Sequence, residues 1–183
     1  MPDADTTARI VNARDMAMAD NVRWLAEEAF PGEKIALWAH NGHVAAAPSA
    51  VGTHMGQHLR KAFGQQMRVV GFALDRGDVR AKALKQGKPA ADGRVALTIP
   101  AAKAGSPEAL LRAAGLPRAI LDLRAVPATS PLGAWLAAPQ PIRSIGWGYD
   151  PAAASASYQS FVLPQAFDVL IFIENTTAAV PLE

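Results

Sequence analysis

Lys34-Ile35-Ala36-Leu37-Trp38-Ala39-His40-Asn41-Gly42-His43 is the stretch on which the reading of the fold turns. After one lysine, five apolar residues run without a break and stop at a histidine. A short apolar run of this kind, bounded by turn-forming residues, reads as a strand buried on both faces. His40 then stands at the carboxyl end of that strand, where open α/β sheets place their ligands. Asn41-Gly42 lets the backbone turn tightly, so that His43 can return toward the same cavity.

Working outward, Thr6 or Thr7 is placed to cap a helix that runs to about Phe30 and stops at Pro31-Gly32. On a helical wheel with Val11 at zero, Met18, Val22, Leu25 and Ala29 fall within roughly 40° of it and form one apolar stripe. Arg14 lies roughly 60° to one side of that stripe and Asp15 roughly 40° to the other, so two opposite charges border a face that should be buried. A second helix is expected from about Gly52 to Phe63, with Met55, Leu59 and Phe63 spaced by four, and Gly64 closing it. Met67 to Leu74 reads as the next strand. Helix, strand, helix, strand over the first 75 residues favours a right-handed crossover and parallel pairing. The expected class is therefore α/β, with a mostly parallel sheet flanked by helices, in a single domain over residues 1–183.

In the remainder, Asp75 to Asp92 reads as a solvated loop or irregular hairpin. Arg94–Ile99 and Ala119–Leu123 read as strands. Ser106-Pro107-Glu108 opens a helix that Gly115 closes, and Leu132 to Ala137 forms a short one. Gly146 to Ser160 reads as a turn-rich surface loop. Phe167 to Ile173 is the clearest strand of the second half.

The 183 residues suffice for one cored domain. A net charge of +2 offers no basic tract for nucleic acid. No apolar run approaches the length of a spanning helix. Met1-Pro2-Asp3-Ala4-Asp5 is acidic and carries no signal-peptide core, a composition compatible with the cytoplasm, while Leu182-Glu183 reads as the remnant of a tag junction. The absence of cysteine removes thiol nucleophiles, zinc–thiolate sites and disulfides.

The chemistry concentrates in four histidines at 40, 43, 54 and 58. Histidine titrates near neutrality, so such clustering marks a candidate site, although chance clustering is the plainer alternative. His54 and His58 stand four apart; on a helix they share a face and are a possible metal pair, with Asp15, Asp75 or Asp78 as a third ligand. The plainer reading for both is a solvent-facing helix surface. Arg14 and Asp15 read equally as a partly buried ion pair or as a charged clamp on a cleft wall. No Gly-x-Ser-x-Gly elbow, Ser-x-x-Lys, P-loop or dinucleotide fingerprint is present.

Arg14-Asp15-x-x-Met18-x-x-Asn21-x-x-Trp24, Trp38-Ala39-His40-Asn41-Gly42-His43, Met55-Gly56-x-x-Leu59, Val70-Gly71-Phe72 and Phe167-Asp168-Val169-Leu170-Ile171 together resemble the erythromycin esterase family, in order and with compatible gaps. The resemblance runs from about residue 10 to residue 175 and is strongest up to residue 77. It implies hydrolysis of carboxylic esters, or of macrolide lactones with their link to antibiotic resistance, by a histidine-activated water and with no cofactor or metal. It assigns His40, His43 and Arg14 as catalytic and Asn41 and Asp15 as substrate-binding, with glutamate standing at the position of Asp15 in many members. It also implies that this chain is the C-terminal part of a protein about twice as long. The principal general-base histidine and its acid would then lie in an N-terminal half. The partners expected are a small-molecule ester and either that missing segment or a second copy of the chain. A non-catalytic binding domain and a histidine-based metal-binding domain stand as the alternatives.

Overall fold

The computed structural model describes residues 4–48, 52–90 and 92–181. The readings placed on Met1–Asp3 and on Leu182-Glu183 lie outside them. In chain order the helices are α1 (Ala4–Trp24), α2 (Asn41–Val44), α3 (Met55–Phe63), α4 (Pro107–Ala113), α5 (Pro131–Leu136) and α6 (Leu163–Ala166). The strands are β1 (Val70–Lys85), β2 (Lys88–Pro89), β3 (Val95–Ile99), β4 (Arg118–Asp122), β5 (Gln140–Arg143), β6 (Gly148–Tyr149), β7 (Tyr158–Phe161) and β8 (Val169–Thr176). Contacts divide the chain into two compact units, one made of Met1–Gly71, Asp122–Ala138 and Phe161–Val169 and the other of Phe72–Leu121, Pro139–Ser160 and Leu170–Glu183.

The first unit is helical. α1 is already formed at Ala4, so Thr6 lies inside it and neither threonine is its cap. Its end widens into a π turn over Leu25–Ala29, closed by the Phe30 N–H donating to the Leu25 carbonyl at 2.8 Å. Met18 and Val22 of the predicted stripe pack beside Met55 and Leu59 of α3, with Val44 and Phe63, but the buried α1 residue there is Ala19, about 80° round the wheel from Val11 and outside that stripe. α3 starts three residues later than Gly52, with His54 as its N-cap, and Gly64 ends it at φ 50°. Gly56 allows α3 to lie directly on the exit of α2, because a Cβ there would sit 2.0 Å from the Val44 carbonyl oxygen.

The expected strand over Lys34–Ala39 is not formed. The segment carries no strand pairing, and Ile35, Leu37 and Trp38 are 42%, 44% and 87% exposed. Its apolar run encodes a covered position, but residues 34–38 are exposed, and Ala39 packs on the helical core. The crossover drawn from the first 75 residues is therefore not completed.

The second unit holds the sheet. β1 is sixteen residues long and continues through the stretch expected as a loop. β1 lies between β2 and β8, and β4 lies beyond β8. It pairs antiparallel with β3, from Gly77 opposite Ile99 to Ala81 opposite Val95, and parallel with β6, with Lys82 opposite Gly148. The short hairpin to β2 turns through Gln86 and Gly87 at φ 53° and 73°, the primed-turn geometry that suits a twisted ribbon. The sheet is thus mixed, and the class is α/β. Its core joins Ala81, Ile99 and Tyr149, so the stretch from Gly146 is not simply a surface loop: β6, a 3₁₀ segment over Pro151–Ser157 and β7 occupy it. α4 begins as expected, with the Ser106 hydroxyl accepting the Ala109 N–H.

Charge is buried within this unit. Asp75 accepts the Ala102 N–H at 2.9 Å and the Arg112 guanidinium. Arg143 donates its peptide N–H to Glu108 at 2.7 Å and its side chain to the Tyr158 hydroxyl at 2.9 Å. Burial pushes the Glu108 carboxyl above its ordinary value, against the opposing hydrogen bonds from Arg143 and Ser106.

Two measurements probe these elements. Gly56→Ala drives a methyl into the Val44 carbonyl and should lower unfolding free energy in urea by about 1–3 kcal/mol; a change within about 0.5 kcal/mol would contradict the close approach. Glu108, raised in the folded state, favours folding fully below its unfolded value of about 4.3 and loses that contribution as pH rises through the folded value. Glu108→Gln should flatten this fall in stability with pH, and an unchanged slope would refute the assignment.

Candidate active site

The site is built on α1, α2 and α3 of the helical unit. Asp15 projects from the buried side of α1 and is fully buried, whereas its neighbour Arg14 is exposed. Both behave as a helix dictates, since residues one apart diverge by roughly 100°. The two charges do not satisfy each other. Asp15 Oδ1 instead receives His43 Nδ1 at 2.8 Å and the Met55 N–H at 2.9 Å. Met55 is the first residue of α3, so the carboxylate also meets the positive end of that helix.

α2 is a single turn. His40 is its N-cap, at φ −62° and ψ 146°, and its Nδ1 accepts the Gly42 N–H at 3.2 Å. The His40 carbonyl accepts the His43 N–H at 2.9 Å, and the Asn41 carbonyl accepts the Ala45 N–H at 2.9 Å. A turn of helix places residues three apart on neighbouring positions, which carries His43 from the cap toward α1. With Nδ1 of His40 accepting, its neutral ring carries the proton on Nε2.

His43 is held from both sides. Arg14 reaches its Nε2 at 3.3 Å. A guanidinium can only donate, so Nε2 accepts and the ring proton sits on Nδ1, pointing at the Asp15 carboxylate. The His43 side chain is 26% exposed, which leaves an imidazole of fixed tautomer with one face open.

His54 completes the group. Its ring meets that of His43 edge-on, with centroids 6.2 Å apart, and its Nδ1 lies 3.7 Å from Asp15 Oδ1. Burial lowers the His54 pKa, and the Asp15 charge opposes that only in part. Burial also acts to raise Asp15, but the hydrogen bonds from His43 and Met55 outweigh it and hold the carboxyl below its ordinary value.

The structure thus brings together Arg14, Asp15 and His43, with His40 and Asn41 in the adjoining turn. It also adds His54, which periodicity alone had assigned to a solvent-facing helix surface. His54 precedes the helix instead of lying in it, and Gln57, whose Oε1 accepts the His54 N–H at 3.0 Å, is the local signal of that cap. His58, one turn into α3, is not part of the group. Asp75 is engaged by Ala102 and Arg112 in the sheet unit, and Asp78 accepts the Thr98 hydroxyl at 2.6 Å.

Known proteins give this geometry a context. YbfO of Bacillus subtilis (strain 168), which carries the name of a candidate hydrolase, is 27% identical over an aligned length of 179 residues, and the match covers 91% of this chain and 35% of YbfO. A Bacillus cereus protein of solved structure superposes with a TM-score of 0.77 at 23% identity, covering 97% of this chain and 41% of the other. A mutant of the erythromycin esterase EreC in its open conformation gives a TM-score of 0.62 at 22% identity, over 88% of this chain and 36% of EreC. The chain therefore spans well under half the length of these relatives. Among its described residues, no helix is long and apolar enough to cross a membrane. The erythromycin esterase family profile matches residues 2–176, and the chain belongs to the erythromycin esterase family.

Proposed function

We propose that the chain contributes part of a hydrolase active site that cleaves carboxylic esters or macrolide lactones by attack of a histidine-activated water. The observation that carries this reading is the array Asp15–His43–Arg14. Asp15 fixes the proton on His43 Nδ1 and so leaves Nε2 as the proton acceptor, the division of labour required of a general base. Arg14, 3.3 Å from that nitrogen, is positioned to move onto the oxyanion that forms when water adds to the ester carbonyl. His40, whose ring proton lies on Nε2, and Asn41 stand on the same turn. The reaction needs no covalent intermediate: His43 takes a proton from water as the C–O bond forms, and the protonated ring returns it to the leaving alkoxide.

The share of the relatives' length that the chain covers, 35% to 41%, supports a site completed by further polypeptide of the same family type. The extended run with Ile35, Leu37 and Trp38 exposed, leading straight into His40, offers the surface against which that polypeptide would add a strand.

Activity is to be measured against p-nitrophenyl esters and a macrolide, using the longest translated product that contains these 183 residues. His43→Ala and His40→Ala should each lower kcat by about 100-fold or more, and Arg14→Ala by about 100-fold, while His58→Ala leaves it unchanged. Equal turnover in His43→Ala would exclude the base assignment, and tight substrate binding without turnover would favour a non-catalytic binding domain. Independently, Asp15→Ala strands the Met55 N–H and should cost about 1–3 kcal/mol in denaturant unfolding. Asp15→Asn keeps an acceptor and should cost less; the reverse order would contradict the network.

A further inference from the structure

Beyond the hydrolytic array, Asp15, His43 and His54 bring one ligand atom each within 4.8 Å of one another. Two of the separations, 2.8 Å from Asp15 Oδ1 to His43 Nδ1 and 3.7 Å to His54 Nδ1, lie on either side of the distance of about 3.4 Å that tetrahedral bonds of about 2.0–2.1 Å impose on neighbouring ligands. The second carboxylate oxygen, Asp15 Oδ2, is buried without a hydrogen-bond partner. A buried anionic oxygen in that state is costly, and a cation removes the cost. Two imidazoles and one carboxylate, with no thiolate, suit a borderline divalent ion of the first transition row. The edge of His43 leaves the group reachable from solvent, and the three side chains come from α1, from α2 and from the cap of α3, elements that pack on one another.

We infer that Asp15, His43 and His54 form a binding site for a divalent transition cation of the zinc class, and that its occupation switches off the base function of His43. The second part rests on the hydrolase reading; the first does not. The exclusion follows from the tautomer. A cation on Nδ1 displaces the proton that Asp15 holds there, and that proton leaves to water. The neutral ligated ring takes one from water on Nε2, so the net proton count is unchanged. Nε2–H then faces the Arg14 guanidinium, donor against donor, and can no longer accept a proton. The metal-bound and proton-accepting states of His43 therefore exclude each other.

The test titrates Zn2+ into the metal-stripped 183-residue chain by calorimetry, with Co2+ absorption to report nitrogen and oxygen ligation. One ion per chain is expected. His54→Ala and Asp15→Asn should weaken binding at least tenfold, and His58→Ala should leave it unchanged. His43→Gln, altered at a partly exposed ring, serves as the variant least exposed to misfolding, and circular dichroism melting confirms each fold. Absence of stoichiometric binding, or an equal loss in His58→Ala, overturns the site. Zinc should also slow ester hydrolysis by the parent protein and not by His54→Ala. Zinc binding with no hydrolysis by the longest translated product leaves the cation site standing and removes the hydrolase reading; hydrolysis by that product without zinc binding does the reverse.

Discussion

A single carboxylate oxygen organises the helical unit. Asp15 Oδ1 takes the His43 ring proton and the first N–H of α3, so one side chain from α1 fixes both other helices that matter to the site. An uncompensated buried carboxylate would cost several kcal/mol, and the two donors on Oδ1 offset part of that cost. The arrangement therefore ties folding to function. The α3 terminus and the α2 turn cannot shift without leaving charge unpaired, and His43 cannot rotate without the same penalty.

The packing around that carboxylate reinforces it. Gly56 removes the atom that would keep α3 off the Val44 and Ala45 carbonyls, and Ala19, Met55 and Leu59 close the apolar side. Asn12 accepts the Thr53 N–H at 2.6 Å and fixes the approach to His54. The segments on which the resemblance rests meet in space: Arg14-Asp15 on α1, His40-Asn41-Gly42-His43 in the α2 turn and Met55-Gly56 at the head of α3.

Much of this was legible in the sequence because its signals are local. The 3.6-residue stripe on α1, the Ser106-Pro107 helix start, the glycine stop at Gly64 and the strands at β1, β3, β4 and β8 follow from periodicity and capping alone. His40, His43, Arg14 and Asp15 could be picked out because charge beside a buried stripe and histidines after an apolar run are uncommon. What failed was not local. Lys34–Ala39 has the composition of a covered strand, but pairing depends on a partner that no window of sequence contains. β1 continues past Asp75 because β3 and β6, distant in sequence, pair with it there. His54 was misplaced because a spacing of four implies a shared face only when both residues are helical, and His54 is the cap.

Asp15 fixes the proton of His43 on Nδ1 and leaves Nε2 toward Arg14, and every role given to that ring depends on it. Nitrogen-15 NMR of the histidine rings, recorded on the chain stripped of metal at neutral pH, reads this directly. Where the ring is neutral its proton is expected on Nδ1, and that preference is expected to be lost in Asp15→Asn. A His43 protonated on Nε2, or one whose tautomer is indifferent to Asp15, would contradict it.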